Sequence, residues 1–437
     1  MKTEFERARR WRRGRREPLQ FGDVRIAALD RFLSLGFPTT RDEEWRLTDI
    51  APIAEKIYTL PFPSASDAKH LDLAPLHLPD DFGTELVFVN GYCLREASTF
   101  NPLPPGACVD SLLEILDSKP TDVISHLARV APFERRPFIA VNTALFTDGA
   151  CILIPAHTTI EKPIHLRFIS TGEADMRPAM SNPRVLLVLG EASQATIVES
   201  YVGPKGSQYF TNVVAEIVLG ENAALDRYKV QCESIEAYHT SATHIVAASG
   251  ANCSAHFISL GGSIVRDDVV AVLGGEGGKC TLNGLYLADG ERLIDNHTTI
   301  DHVTPRCRSR QVYNGILADR ARSVFDGKIM IRAGARNADA RQVNRTLLLS
   351  KDAVVNSISH FENLAKEGIY IQRAVDRQID EDALYIRSRG LGRADARRLV
   401  ILSFVRNMLK RLSLQPFTHR VEELLQQQLE GVLGSVA

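Results

Sequence analysis

No two cysteines of this 437-residue sequence form a Cys-x-x-Cys pair; the seven thiols stand singly at 93, 108, 151, 232, 253, 280 and 307. That scattering excludes the compact thiolate runs that hold a ferredoxin-type cluster. An odd, dispersed count is no disulfide framework either, so a reducing, cytoplasmic setting is expected. No run of about 18 apolar residues occurs, so no membrane-spanning helix is expected. The opening residues lack an apolar stretch with a small-residue cleavage site and do not read as a secretory signal. Neither sign of charge is in excess: 52 basic and 53 acidic residues leave a formal charge of −1, which argues against a general polyanion binder. The exception is Lys2 to Arg16, where eight basic residues meet only Glu4 and Glu6. A solvated basic helix is expected there, with neither nucleic acid nor membrane as partner.

Catalytic signatures are missing too. Gly274-Gly-Glu-Gly-Gly-Lys279-Cys280 approaches a phosphate loop, but Cys280 stands where Ser or Thr is required, and Leu273 where the first glycine belongs. No helix follows to receive a phosphate. HExxH, GxSxG and GxGxxG do not occur in a usable context. A carbohydrate-active solenoid enzyme would gather carboxylates on one face. The nearest group, Arg266, Asp267 and Asp268, is contiguous, so its two acids point to opposite sides of a strand.

What is present is a β-rich middle between two helical ends, with 44% apolar residues to build a core. Residues 1–84 read as helical and irregular: an amphipathic stretch, Ala27 to Leu35, ends at Gly36, and a short helix begins at Arg41 with Trp45 as a packed anchor. From Glu85 the texture becomes short β-branched runs such as Glu85 to Tyr92, Cys151 to Ile154 and Val185 to Leu189. A turn recurs at Gly190, Gly220, Gly250 and Gly275, with looser copies at Ala318 and Ser350, giving intervals of 30, 30, 25, 43 and 32 residues. Small corners between strands at such intervals predict a continuous β-solenoid over residues 85–379. Residues 380–437 read as helical again. Asp380 to Gly390 forms a first helix, Arg393 to Leu412 a second and Arg420 to Leu433 a third. Leu399, Leu402, Val405 and Leu409 form an apolar stripe read as a partner-binding face. The segment is too short to bury its helices without the N-terminal region or a partner, and its deletion is expected to leave the solenoid folded.

His297, His302 and Cys307 form the one metal-type constellation. Spacings of five put successive side chains on opposite faces of a strand, although Pro305 permits a turn. Cys307 and His302 are the candidate ligands, with a buried thiol at a solenoid corner as the competing reading. His297 reads as a hydrogen-bonded neighbour of Asp295.

The block from Asp295 to Ser350 resembles the core of the SufB/SufD family of iron–sulfur cluster assembly proteins, on the SufD side. So do residues 141–171, residues 209–231 and Asp-Glu-Asp-Ala-Leu-Tyr-Ile-Arg-Ser-Arg-Gly at 380–390. The resemblance implies a right-handed parallel β-helix acting as a non-catalytic scaffold with no cofactor of its own. It also implies pairing with a SufB-like subunit, a C-terminal helical region docking a SufC-like ABC ATPase, and a transient iron–sulfur cluster at the inter-subunit interface. A homodimer is the alternative assembly. The family carries a Cys-x-His-Gly element before the acidic segment at Asp380; here Tyr370, Gln372 and Arg373 occupy those positions. His360 could substitute only after a register slip. The scaffold role is expected with or without ligands of its own.

Overall fold

The computed structural model describes residues 1–12, 19–61, 82–118, 120–174, 176–365, 367–379 and 392–435. Its centre is a parallel β-solenoid whose coils alternate between two ten-stranded sheets. Sheet one runs from Glu85–Val89 and Ile164–Ile169 through Gln194–Val202, Ala224–Cys232, Asn252–Ser259, Lys279–Ala288, Arg308–Leu317 and Ala338–Leu348 to Gly368–Gln378. Sheet two runs from Gly149–Ile154 and Arg184–Leu189 through Phe210–Leu219, Tyr238–Ala247, Ile264–Leu273, Leu293–His302 and Arg322–Ile331 to Val354–Asn363. Short antiparallel strands, Tyr92–Cys93 and Cys108–Ser111, start each sheet, and Met180–Ser181, paired to Phe210–Leu219, is the tenth strand of sheet two.

Strand periodicity explains why these runs are almost continuously apolar. Lys279–Ala288 sends Cys280, Leu282 and Tyr286 into the core between the sheets, while Leu285 and Leu287 face outward into a second core. Both faces are covered, as parallel sheets require. Between the sheets, Gly284 lies under the Tyr313 ring and Gly315 under the Tyr286 ring; a Cβ at either glycine would overlap the aromatic. Charges share this interior. Arg227 donates to both carboxylate oxygens of Glu199 at 2.6 and 2.8 Å, Lys229 pairs with Asp267, and His239 contacts Glu233 at 2.7 Å.

The corners correct the spacing of the repeat. Residues Ala192, Asn222, Gly250, Gly277, Arg306 and Asn337 all take a left-handed φ between 52° and 71°. Their amides form a ladder: Ala192 donates to Glu221, Asn222 to Ser249, Gly250 to Glu276, Gly277 to Pro305, Arg306 to Arg336 and Asn337 to Glu367. The intervals are 30, 28, 27, 29 and 31 residues. The corner at Pro305-Arg306 carries no glycine, so the sequence pattern passes over it. Ala318 and Ser350 belong to the opposite row of corners, leading from sheet one to sheet two, which explains the anomalous 43-residue step.

The solenoid is also interrupted at its start. Leu112–Ser118, Pro120–Ile124 and Pro137–Leu145 are helices inside the span read as continuous β. The last, PFIAVNTAL, is buried from Phe138 to Leu145, so it lacks the amphipathic signal of a surface helix, and Pro137 sits in its first turn.

Each outer face is covered by one end of the chain. Helices Lys2–Arg12 and Leu19–Leu35, together with Trp45 and Phe138, pack on Phe210, Tyr238, Ile264, Leu293 and Val324 of sheet two. Gly36, at φ 71°, closes the second of these helices. Helices Arg393–Leu409 and Gln415–Ser435 pack on sheet one, where Ile401, Val405, Met408, Leu412, Phe417, Val421 and Leu425 meet Tyr228, Val230, Ile258, Leu285, Leu287, Ile316 and Leu347. The C-terminal helices are therefore buried against the solenoid itself, correcting the expectation that they need the N-terminal region or a partner. They are core, because the outward side chains of sheet one are apolar. The helix read at 380–390 lies outside the described residues.

Candidate interaction surfaces and ligand positions

His302 ends the strand Leu293–His302 and points between the sheets, where its Nε2 lies 2.9 Å from Ser309 Oγ. Burial lowers its pKa to about 4, so the ring is neutral. Cys307 sits in the apolar core at the corner, its Sγ 3.4 Å from both Gly275 O and Thr304 Oγ1. The two side chains thus have separate partners. Among the described residues no group of three His, Cys, Asp or Glu side chains is placed to hold a metal ion. His297 faces outward, with its Nε2 2.9 Å from Asp295 Oδ1. Asp267 points inward to Lys229 and Asp268 outward to Arg266, so the pair of acids is divided between two faces.

Tyr370, Gln372 and Arg373 lie on Gly368–Gln378, the last strand of sheet one. The Tyr370 ring is 5.1 Å from that of Phe361, Gln372 Nε2 donates to His360 O at 3.3 Å, and Arg373 is exposed. His360 is exposed on Val354–Asn363, the last strand of sheet two, with its Nε2 3.7 Å from Asp326 Oδ1. These two final strands each pair on one side only among the described residues. Their backbone edges are open, and Val354, Phe361, Leu364 and Ile369 expose apolar surface, Leu364 at 68%. The strand VVNSISHFEN carries no Pro, Lys or Arg, the residues by which lone edges are usually guarded.

On the C-terminal helices the stripe chosen from sequence divides. Val405 and Leu409 are buried on sheet one, Leu402 is half-buried and Leu399 is 47% exposed. Polar ties complete the dock: Ser413 Oγ donates to Asp226 at 2.8 Å, and Gln428 Nε2 to Leu260 O at 2.9 Å.

One cluster escaped sequence reading altogether. His165 places Nε2 2.8 Å from Ser200 Oγ and Nδ1 2.9 Å from Glu85 Oε1. The order nucleophile, base, carboxylate is that of a hydrolase, yet Ser200 is 1% exposed and sits mid-strand, its amide within the sheet ladder. The residues come from three strands separated by long stretches of chain, so no local motif signals them.

Residues 168–404 match the family described as SUF system FeS cluster assembly, SufBD core domain, and residues 15–166 match the SufBD protein N-terminal region. An iron–sulfur cluster assembly SufBD family protein of Synechocystis is 31% identical over 411 residues, covering 91% of this chain and 89% of its own. The iron–sulfur cluster assembly protein SufD of Escherichia coli is 26% identical over 404 residues, 92% of each chain. The chloroplastic protein ABCI7 of Arabidopsis thaliana is 28% identical over 394 residues, 89% of this chain and 81% of its own. A two-sheeted parallel solenoid, flanked by helices and matched along both of the family's regions, belongs to the SufBD family of iron–sulfur cluster assembly proteins, and within it is SufD-like.

Proposed function

We propose that this chain is a non-catalytic scaffold subunit that pairs through its open final coil with a SufB-like subunit and docks a SufC-like ATPase on its C-terminal helices. The cytoplasm is the proposed setting, and any iron–sulfur cluster is cargo held transiently at the subunit interface. The observation that carries the reading is the pair of edge strands left open among the described residues, Val354–Asn363 and Gly368–Gln378, with apolar side chains exposed beside them. Edges of this length invite continuation of the sheet by another chain. For the ATPase, Leu399 and the half-buried Leu402 are the available part of the stripe.

Co-expression with SufB-like and SufC-like proteins tests this. The three should co-elute. Leu364→Asp combined with Ile369→Lys should release the SufB-like subunit without changing circular dichroism. Elution of the unaltered chain alone, or normal pairing by the variant, overturns the reading.

A second reading keeps pairing and drops ligation. It is favoured by Tyr370 and Gln372, which are engaged with Phe361 and the His360 carbonyl and supply no thiolate or imidazole. Tyr370→Cys with Gln372→His should then leave both complex formation and cluster assembly unchanged. Restored assembly in a deficient complex, seen in the visible absorption of the anaerobically reconstituted assembly, would exclude a pure pairing role.

A further inference from the structure

Arg266 organises a buried cluster on the outer face of sheet two. It donates to Asp295 Oδ2 at 2.8 Å and to Asp268 at 3.0 and 3.2 Å. A fourth bond goes to the backbone oxygen of Glu44 at 2.8 Å, and the Trp45 ring stacks 3.7 Å from the guanidinium carbon. Thr48 Oγ1 donates to Asp295 Oδ2 at 2.6 Å. The segment Glu43–Thr48 is thus tied to the sheet by one backbone acceptor, one stacked ring and one hydroxyl, all converging on Arg266 and Asp295.

His297 completes the charge balance. With its proton, two cations (Arg266, His297) face two anions (Asp268, Asp295); without it, the buried cluster carries a net negative charge beneath Glu43 and Glu44. Burial works against the charged ring, but Asp295 and Asp268 outweigh it and raise its pKa above 6.5. From the helix Pro137–Leu145 side, Arg136 faces Asp268 and His244, and desolvation keeps His244 neutral, at about 3. On the following strands Lys328 pairs with Glu362 at 2.6 Å and Asp326 with His360 at 3.7 Å. These four side chains, with Arg136, Asp268, His297 and the segment's own Glu43, Glu44 and Arg46, line a cleft of about 400 Å³.

We propose that Glu43–Thr48 is a strap clamped along this cleft by the Arg266–Asp268–Asp295–His297 cluster, and that loss of the His297 proton loosens the strap and widens the cleft. The sign follows from linkage. The stabilisation is fully present below the unfolded histidine value of about 6.5 and is lost as pH rises through the higher folded value.

Trp45 is the reporter, since Trp11 is the only other tryptophan. In a full-length Trp11→Phe background, raising pH from about 5.5 to about 9 should red-shift Trp45 emission, with a midpoint above about 6.5. Hydrogen-exchange protection of Glu44–Thr48 should fall about tenfold over the same range. His297→Gln, uncharged throughout, should show the loosened emission and low protection at every pH. A flat Trp45 emission, or the same transition in His297→Gln, overturns the proposal. Should His297→Gln fail to fold by circular dichroism, Thr48→Val removes one tie and leaves the charges alone. It should lower protection at acidic pH, and unchanged protection overturns the strap.

Discussion

The two ends of the solenoid are finished in opposite ways. At the first, Tyr92–Cys93 and Cys108–Ser111 turn back antiparallel, and Leu112, Ile115 and Leu116 of the following helix pack onto Cys151 and Leu186. The buried Asp148 carboxylate knits this end, accepting from Cys93 N at 3.0 Å, Ser111 Oγ at 2.7 Å, Leu113 N at 3.0 Å and Gly149 N at 2.7 Å. At the far end neither sheet is continued or covered among the described residues; Val354–Asn363 and Gly368–Gln378 are mostly half-buried or exposed. A repeat buries its faces only by stacking, so a capped end is complete and an uncapped one awaits a neighbour. One chain thus carries both a finished terminus and, among its described residues, an unfinished one.

The largest effects should come from the enclosed coils. Arg227→Met leaves Glu199 charged and unpaired in the interior and should cost about 3–5 kcal/mol in denaturant unfolding. Adding Glu199→Leu should recover most of that loss, which separates an orphaned charge from a packing defect. At the capped end, Asp148→Ala strands four donors and should cost about 3 kcal/mol. An effect below about 1 kcal/mol would mean that this end is not finished by Asp148.

Acid should distinguish the interior from the open end. His302 is neutral in the fold, at about 4, while the unfolded chain binds a proton near 6.5. Stability should therefore fall as pH drops below about 6.5 and go on falling to about pH 4, by up to about 3 kcal/mol from this ring. His302→Asn should flatten that slope, and an unchanged slope would assign it elsewhere. The smallest effect belongs to the open coil. Phe361→Ala should change the stability of the isolated chain by under about 1 kcal/mol, because the ring is 39% exposed, yet should weaken pairing measurably by co-elution. A cost of several kcal/mol would make the last coil a core element and remove the contrast between the ends.

Much of the fold was legible in small residues at corners. Gly190, Gly220 and Gly275 mark one row because a Cβ at any of them would collide with the backbone of the preceding coil, two residues before the left-handed corner position. Pro305-Arg306 performs the same turn without glycine and was passed over. PFIAVNTAL was hidden because a helix buried on all sides has lost the periodicity that identifies one. The candidate site was less legible. Cys307 and His302 are near in sequence, but pleat and corner give them separate partners, while His165, Ser200 and Glu85 meet only through coil stacking.

By itself the sequence determined that the middle of the chain stacks as a parallel solenoid, since strand and corner periods are local properties repeated along it. Only the tertiary structure decided that Val405 and Leu409 are spent on sheet one, that Trp45 lies over Arg266, and that the last two strands keep an open edge among the described residues. An apolar stripe records that a face must be covered, not what covers it. The choice of cover depends on which distant surfaces the coils bring within contact distance.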